Sequence, residues 1–469
     1  MSCRTSNHEA ALPQATLIPA SVIEICNHLH KMGGTAYLVG GALRDLLLGI
    51  TPKDFDIEVY GIAEDDLLKH LNHLGKIETV GKQFGIIKLW RDSQEIDIAL
   101  PRREIKTEPG HRGFDVIPDH NLSPETASLR RDFTINAMMF DPISNTLLDF
   151  HQGAEHLSQG ILKHVSPAFA EDPLRVLRGM QFAARFKLKL DPETAALCHT
   201  LISEAETLPA SRIWIEWQKW CRADHPSYGL QALRDSGWVT LYPELEAMID
   251  CPQDRRWHPE GDVWLHTLQV VDQAAMIADR YQWSGEVREQ LLLAALCHDL
   301  GKPVCTFIDD HGAIKSPGHS HEGMADSSRF LKKIFAPKKF SQTILPLVQE
   351  HMTHMHGEST PRAVRHLAHR LVPATVELWE ALVEADASGR APAPPSRPAL
   401  EWLQQAEALA AHQNQPTPII TGKALIDLGK TPGPELGGIL SAAYQAQLNG
   451  EFDNPSSAKL WLKAYLDRE

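Results

Sequence analysis

Two carboxylate patterns and one histidine–aspartate pair carry most of the chemistry this sequence can do. Asp54-Phe-Asp56 sets two acidic side chains two positions apart, and a β-strand would turn both to one face. Carboxylates placed so repel one another unless a cation joins them, and Mg²⁺ is the usual cation in phosphoryl transfer. Asp97, within Glu95-Ile-Asp-Ile-Ala99, lies on another strand-like run and is the candidate third oxygen ligand. Just upstream stands Gly40-Gly41, where backbone amides at a strand-to-helix turn can approach a phosphate closely. Arg44, one helical turn on, offers a two-pronged donor for a triphosphate. Either pattern alone is more often plain surface; their succession gives them weight.

The second centre is Cys297-His-Asp-Leu-Gly-Lys302, with His266 about 30 residues upstream. Imidazole suits a transition metal, and an open coordination position would leave a water to activate. His266, His298 and Asp299 are the first candidates, and Asp386, in Glu384-Ala-Asp-Ala-Ser388, supplies a closing carboxylate. His319, His321 and His351 are further ligands or phosphate contacts. With 24 histidines in the chain some clustering is inevitable, so the weight rests on His-Asp-Leu-Gly-Lys.

The elements around these residues are legible in outline. A helix over 21–32 leads into a strand at Ala36–Val39. Gly40-Gly41 opens a helix that runs through Arg44 to Leu48, and Gly49 closes it. Strand-like runs follow at Phe55–Val59, Gly85–Leu89 and Ile96–Leu100, in alternation with helices. From about residue 150 the chain turns helical, and Arg390–Pro398 reads as a stiff proline-rich linker. The fold class expected is α+β, with a small sheet-containing head followed by helical regions. The divisions are 1–34, an N-terminal extension or helix; 35–150, the head; 151–250, a helical neck; 251–390, the His-Asp domain; and 391–469, linker and tail. Hydrophobic residues at 43% and charged residues at 23% describe a globular chain. The net charge of −14 excludes binding nucleic acid by bulk attraction. Basic residues are nonetheless clustered at Arg102, Arg103 and Lys106, at Arg130 and Arg131, and from Arg175 to Lys189. Seven cysteines without paired spacing point to a reducing, cytoplasmic setting.

GGALRDLLLG…DFDIEV resembles the signature of the class II tRNA nucleotidyltransferase and bacterial poly(A) polymerase family, within the polymerase β superfamily. The resemblance implies triphosphate binding by Gly41 and Arg44, two catalytic metal ions on Asp54 and Asp56, and Asp97 as third carboxylate. One ion would activate the attacking hydroxyl and the other would stabilise departing pyrophosphate. Arg130-Arg-Asp-Phe-Thr-Ile-Asn-Ala137 is similar to the family's second motif, which implies that Arg131 and Asn136 face the nucleotide, with Asp132 near the sugar. In Glu171-Asp-Pro-Leu-Arg175-Val-Leu-Arg178, Pro173 suits a first helical turn, and Asp172, Arg175 and Arg178 recur every three residues along one side. The resemblance implies Asp172 and Arg175 as readers of the incoming base, with Arg178 as a phosphate or structural contact. Gln181 stands where the family often has arginine. The basic stretch Pro101–Arg112 shows no strand periodicity and resembles the mobile loop that helps change preference from CTP to ATP.

WHPE…HT…CHDLGK is similar to the HD phosphohydrolase domain of multifunctional bacterial CCA enzymes. That implies phosphatase and 2′,3′-cyclic phosphodiesterase activity beside CCA addition to tRNA from CTP and ATP. The segment from Ile420 to Gly437 resembles the tail that faces the tRNA body in those enzymes. Poly(A) polymerase and an A-adding-only enzyme are the nearest rivals; Gln83, where the poly(A) branch would have a basic residue, favours tRNA. A nucleotidyltransferase–HD signalling protein would lack RRDFTINA and EDPLR.

Overall fold

The computed structural model describes residues 15–80, 86–92, 94–106, 114–390, 392, 394 and 396–467. Gln83 and the stretch 107–113 of the basic segment lie outside the described residues, as does most of the N-terminal extension. The chain divides into two compact units, Met1–Glu216 with Tyr228–Leu241, and Trp217–Ser227 with Tyr242–Glu469. Among the described residues no helix is long and apolar enough to cross a membrane.

The first unit is organised by a seven-stranded sheet of β1 (Thr35–Val39), β2 (Phe55–Tyr60), β3 (Lys76–Val80), β4 (Ile86–Arg91) and β5 (Gln94–Ala99), to which two later strands are added. A separate antiparallel hairpin joins β6 (Arg102–Lys106) to β7 (Phe114–Pro118). This corrects the expectation of an irregular loop from Pro101. The run around β6 has a single aliphatic residue, Ile105, so its pairing leaves no alternation in the sequence. The sheet is completed by β8 (Met139–Asp141) and β9 (Thr146–Leu148), in the order β3-β4-β5-β2-β1-β8-β9. Every neighbouring pair is antiparallel except β2 and β5. The architecture is therefore α+β.

Six helices accompany this unit's sites: α1 (Ala20–Lys31), α2 (Gly41–Leu47), α3 (Glu64–Leu71), α4 (Pro124–Ser128), α5 (Gly153–Gln159) and α6 (Leu174–Phe186). In α1, Val22, Ile25, Cys26 and Leu29 are buried, the i, i+3, i+4, i+7 stripe of a helix laid on a sheet. They join Leu38, Ile57, Ile87 and Ile98 in one core. That core fixes β2 and β5 rigidly beneath the carboxylates they carry.

The second unit is helical. Helices Val263–Arg280, Gly285–Cys297, His319–Lys333, Lys338–Glu350 and Val376–Ser388 supply the residues of the His-Asp centre or the turns that hold them. Three C-terminal helices, Gly422–Asp427, Pro434–Asn449 and Pro455–Leu466, close a small apolar core of their own around Leu425, Ile439 and Phe452. The proline-rich segment is not a free spacer at its end: Arg397 Nε donates to Glu380 Oε1 at 2.9 Å and Nη2 to the Tyr281 hydroxyl at 2.7 Å.

Candidate active sites

Asp56 and Asp97 are register partners on the parallel strands β2 and β5, so the sheet itself holds the two carboxylates side by side, about 4.8 Å apart at the backbone. Asp54 lies one position before β2, not on it. A cleft of about 220 Å³ opens over these strands, lined by Asp56, Glu58, Asp97, Arg102, Arg130 and Arg131 among others. Asp56 is open to solvent, yet the protein atoms crowded around its carboxyl, then the charge of Asp97, push it up to about 6, with Arg131 pulling it down and Asp54 raising it further. Asp97 Oδ1 is buried without a hydrogen bond, though Lys88 Nζ stands 3.6 Å away. An all-oxygen set with an orphaned buried acceptor and a carboxyl reluctant to ionise fits a hard divalent cation.

Gly40 carries φ +73, and a Cβ there would stand 3.2 Å from Asp56 Oδ2. The backbone constraint thus falls on Gly40 more than on Gly41, which begins α2. Arg44 is held within the protein. Its Nη1 donates to Asn136 Oδ1 at 2.7 Å, its Nε and Nη2 hold Asp45, and its guanidinium lies over the Phe186 ring at 4.1 Å. Buried and with its three guanidinium nitrogens engaged, it ties α2 to the turn after α4.

The second motif forms a closed polar network. Asp132 Oδ2 accepts from Arg178 Nε at 2.9 Å and Nη2 at 2.6 Å, while its Oδ1 accepts from Asn136 Nδ2 and the Phe133 amide. Burial would raise the Asp132 carboxyl, but Arg178 together with the bonds from Asn136 and the Phe133 amide holds the group below the usual range. Arg178 is therefore a structural contact of the motif, and Asp132 is committed to it. Arg131 Nη2 donates to buried Glu58 at 2.6 Å, on the cleft wall. Phe133 is fully buried, edge-on to Phe169 and Phe182, which seats the motif on α6.

Arg175 and Arg178 lie on α6, but Asp172 does not. Asp172 is extended, at φ −127 and ψ 99, and α6 begins at Leu174. Asp172 accepts the Leu174 amide at 3.1 Å, and Arg175 donates to the carbonyls of Ala168 and Arg130 at 2.8 Å each. Arg175 thus braces the Arg130-Arg131 turn. Gln181 is 1% exposed, which accounts for a neutral amide where a charge would need a buried partner.

In the second unit His266, His298, Asp299 and Asp386 converge, as the spacing suggested. His266 Nε2 stands 3.0 Å from Asp386 Oδ1, and His298 Nε2 stands 3.1 Å from Asp299 Oδ2 and 3.8 Å from Asp386 Oδ1. His319 and His351 complete a second pole: His319 Nε2 is 3.4 Å from Asp299 Oδ1 and 3.2 Å from His351 Nε2. His321 is exposed and outside this cluster. The orientation has one repeated cause. Nδ1 of His298, His319 and His351 each meets the carbonyl three residues earlier, at 2.8, 2.8 and 2.6 Å, leaving every Nε2 to face inward. Glu260 Oε1 does the same for His266 at 2.8 Å and also meets His258.

His298 Nε2 and Asp299 Oδ2 are buried without a well-directed hydrogen bond, although Lys302 Nζ lies 2.7 Å from Asp299. Burial, then the positive fields of His298 and His319, pulls His351 down to about 3, so it stays a neutral donor. His266 is raised to about 8 because hydrogen bonds to Asp386 and Glu260 outweigh its burial. Mixed imidazole and carboxylate donors fit a transition metal. Glu260 and Lys302, quoted within WHPE and HDLGK, carry roles that only the packing reveals.

Both centres fall within segments that match known protein families. Residues 36–163 match the poly A polymerase head domain, 187–249 a probable RNA and SrmB-binding site of polymerase A, and 263–395 the HD domain. The multifunctional CCA protein of Nitrosococcus oceani is 36% identical over 362 residues, covering 76% of this chain and 84% of that protein. That of Aliivibrio salmonicida is 38% identical over 333 residues, covering 70% and 77%. The CCA-adding enzyme of Bacillus stearothermophilus, solved with CTP, aligns over 96% of this chain and 99% of its own with a TM-score of 0.62 at 20% identity, a likeness of fold. The Asp56–Asp97 cleft, the buried His-Asp cluster and these relatives converge: the chain belongs to the multifunctional CCA protein family.

Proposed function

We propose that this chain transfers CMP and AMP from CTP and ATP to the 3′ end of tRNA without a nucleic acid template, and that its HD domain hydrolyses phosphoesters. The observation that carries the first part is the Asp56–Asp97 pair across β2 and β5, with Gly40 pressed against Asp56. Asp54, Asp56 and Asp97 would hold Mg²⁺, which when bound supplies the positive charge that a phosphoryl-transfer site needs. Gly40 leaves room beside Asp56, and the amides of Gly41 and its neighbours at the start of α2 can receive phosphate oxygens. Arg131 borders the cleft and is held by Glu58. Arg44, Asn136 and Asp132 keep the two motifs in register, while Asp172 and Arg175 remain the candidate base readers once their present backbone bonds are exchanged. tRNA as acceptor and cysteines that are unpaired among the described residues support a cytoplasmic setting.

The second part rests on four imidazoles gathered around buried Asp299 and half-buried Asp386. His266, His298, Asp299 and Asp386 would hold a divalent transition metal, with His319 and His351 as further ligands or phosphate contacts. A single experiment tests the transfer reading. Truncated tRNA is supplied with CTP, ATP or both, and the products are sequenced. Addition of CCA by the parent and none by an Asp54→Ala/Asp56→Ala variant is expected; undiminished extension by the variant overturns the reading, and A-tails alone would favour a poly(A) or A-adding enzyme.

A further inference from the structure

Asp56, Glu58 and Tyr60 stand at alternate positions of β2 and share one of its faces, while Ile57 and Val59 enter the core of the head on the other. Glu58 is 4% exposed and lines the cleft two positions behind Asp56. A carboxylate buried so deeply is costly unless a cation and hydrogen bonds meet it. Both of its oxygens are met. Oε2 accepts from Arg131 Nη2 at 2.6 Å, and Oε1 accepts from the Tyr60 hydroxyl at 3.1 Å. The Tyr60 ring is fixed in turn, packed with Val39, Ala127 and Met139 and edge-on to Tyr37 at 5.5 Å. The backbone of Arg131 is held from other directions. Its amide donates to the Ser128 carbonyl at 3.0 Å, and Arg175 holds the preceding carbonyl, that of Arg130, at 2.8 Å.

The rest of that guanidinium is not satisfied in the same way. Nε is buried without a hydrogen bond. Nη1 stands 3.7 Å from the point where a side chain on Gly40 would begin, the same point that lies 3.2 Å from Asp56 Oδ2. One arginine therefore reaches from a buried carboxylate to the glycine turn beside the acidic pair. A long side chain that is already held loses less freedom when it grips a ligand. We propose that Glu58 and Tyr60 are positioning residues for nucleotide binding: they hold Arg131 with Nη1 at the Gly40 turn, where it receives the phosphates common to CTP and ATP. Glu58 acts through the arginine and touches no substrate. This rests on the transfer reading above and adds two residues to that site.

The test measures equilibrium binding of CTP and of ATP, each with Mg²⁺, to the full chain and its variants. Glu58→Gln keeps the volume but leaves one acceptor oxygen for two donors, and it is expected to weaken both nucleotides alike, about tenfold. Tyr60→Phe removes one hydroxyl and is expected to weaken both about threefold; it carries the test alone if Glu58→Gln does not fold. Arg131→Ala should weaken both at least as much and lower the melting temperature, because it leaves Glu58 buried without its counter-charge. Adding Glu58→Gln to Arg131→Ala should raise the melting temperature again and leave the affinity unchanged, a split that a purely structural role would not produce. A carboxylate facing the cleft on its own account would only repel a triphosphate. Unchanged or tighter binding by Glu58→Gln, or by Tyr60→Phe where that variant alone folds, therefore overturns the proposal. So does a loss confined to one nucleotide, or a further loss of affinity in the double variant. Extension of truncated tRNA by the parent is measured separately. Its absence, with the binding shifts intact, removes the transfer reading alone; its presence, with no binding shift, removes the positioning role alone.

Discussion

Replacing Asp132 by asparagine keeps the shape of the second motif and removes one charge. Asp132 accepts four hydrogen bonds, two of them from the Arg178 guanidinium at 2.9 and 2.6 Å. An amide offers one acceptor oxygen where the carboxylate offers two, and it leaves Arg178 without its counter-charge. Hydrogen bonds to a charged group contribute roughly 1.5–3 kcal/mol each. The Arg178 side chain is 34% exposed, and solvent screening brings the expected cost for the pair to about 2 kcal/mol. For a unit of this size that is a fall of roughly 4–8 °C in melting temperature. The pH dependence sharpens the test. The Asp132 carboxyl is held below its ordinary value, so its contribution is complete above the unfolded carboxyl value near 3.9 and is lost as pH falls through the folded one. Parent and Asp132→Asn should therefore differ by a constant amount from pH 7 down to about 5 and converge below 4. Urea unfolding of both proteins across that range measures it. A variant as stable as the parent at pH 7, or a gap that persists unchanged to pH 3, would refute the claim that this ion pair anchors the motif.

Gly40→Ala should destabilise the protein by about 1–2 kcal/mol, the cost of a left-handed residue with a side chain, and should depress nucleotide transfer further because its Cβ would stand 3.2 Å from Asp56 Oδ2; equal loss of stability without loss of transfer in a paired calorimetry and extension assay would contradict that. Gly301→Ala drives a Cβ to 2.1 Å from the His319 carbonyl and 2.5 Å from the Gly323 amide, both backbone, so a loss of about 3 kcal/mol or failure to fold is expected, read by expression and thermal melting. His298→Ala should abolish tightly held metal, measured by elemental analysis, while CCA addition continues; transfer that stops with it would mean that the two centres are coupled. Gln181→Arg buries a charge at a position 1% exposed, and a loss of about 2–4 kcal/mol is expected; a stabilised variant would show that Gln181 is not shielded as described.

The sequence by itself determined the chemistry-bearing residue types, because catalysis by carboxylate pairs and His-Asp metal centres demands particular side chains at short, readable separations. Asp54, Asp56, His298 and Asp299 are legible for that reason, and the apolar stripe of α1 follows from helical period alone. Tertiary structure decided what is far apart in the chain. Only strand pairing puts Asp97 beside Asp56, since β4 and β5 must fold back for the parallel partnership to form. Only packing turns Arg44 and Arg178 inward onto Asn136 and Asp132, because an arginine motif looks the same in sequence whether its fork is open or closed. The inward aim of His298, His319 and His351 likewise rests on carbonyls three residues back, a relation set by backbone conformation and not by residue type.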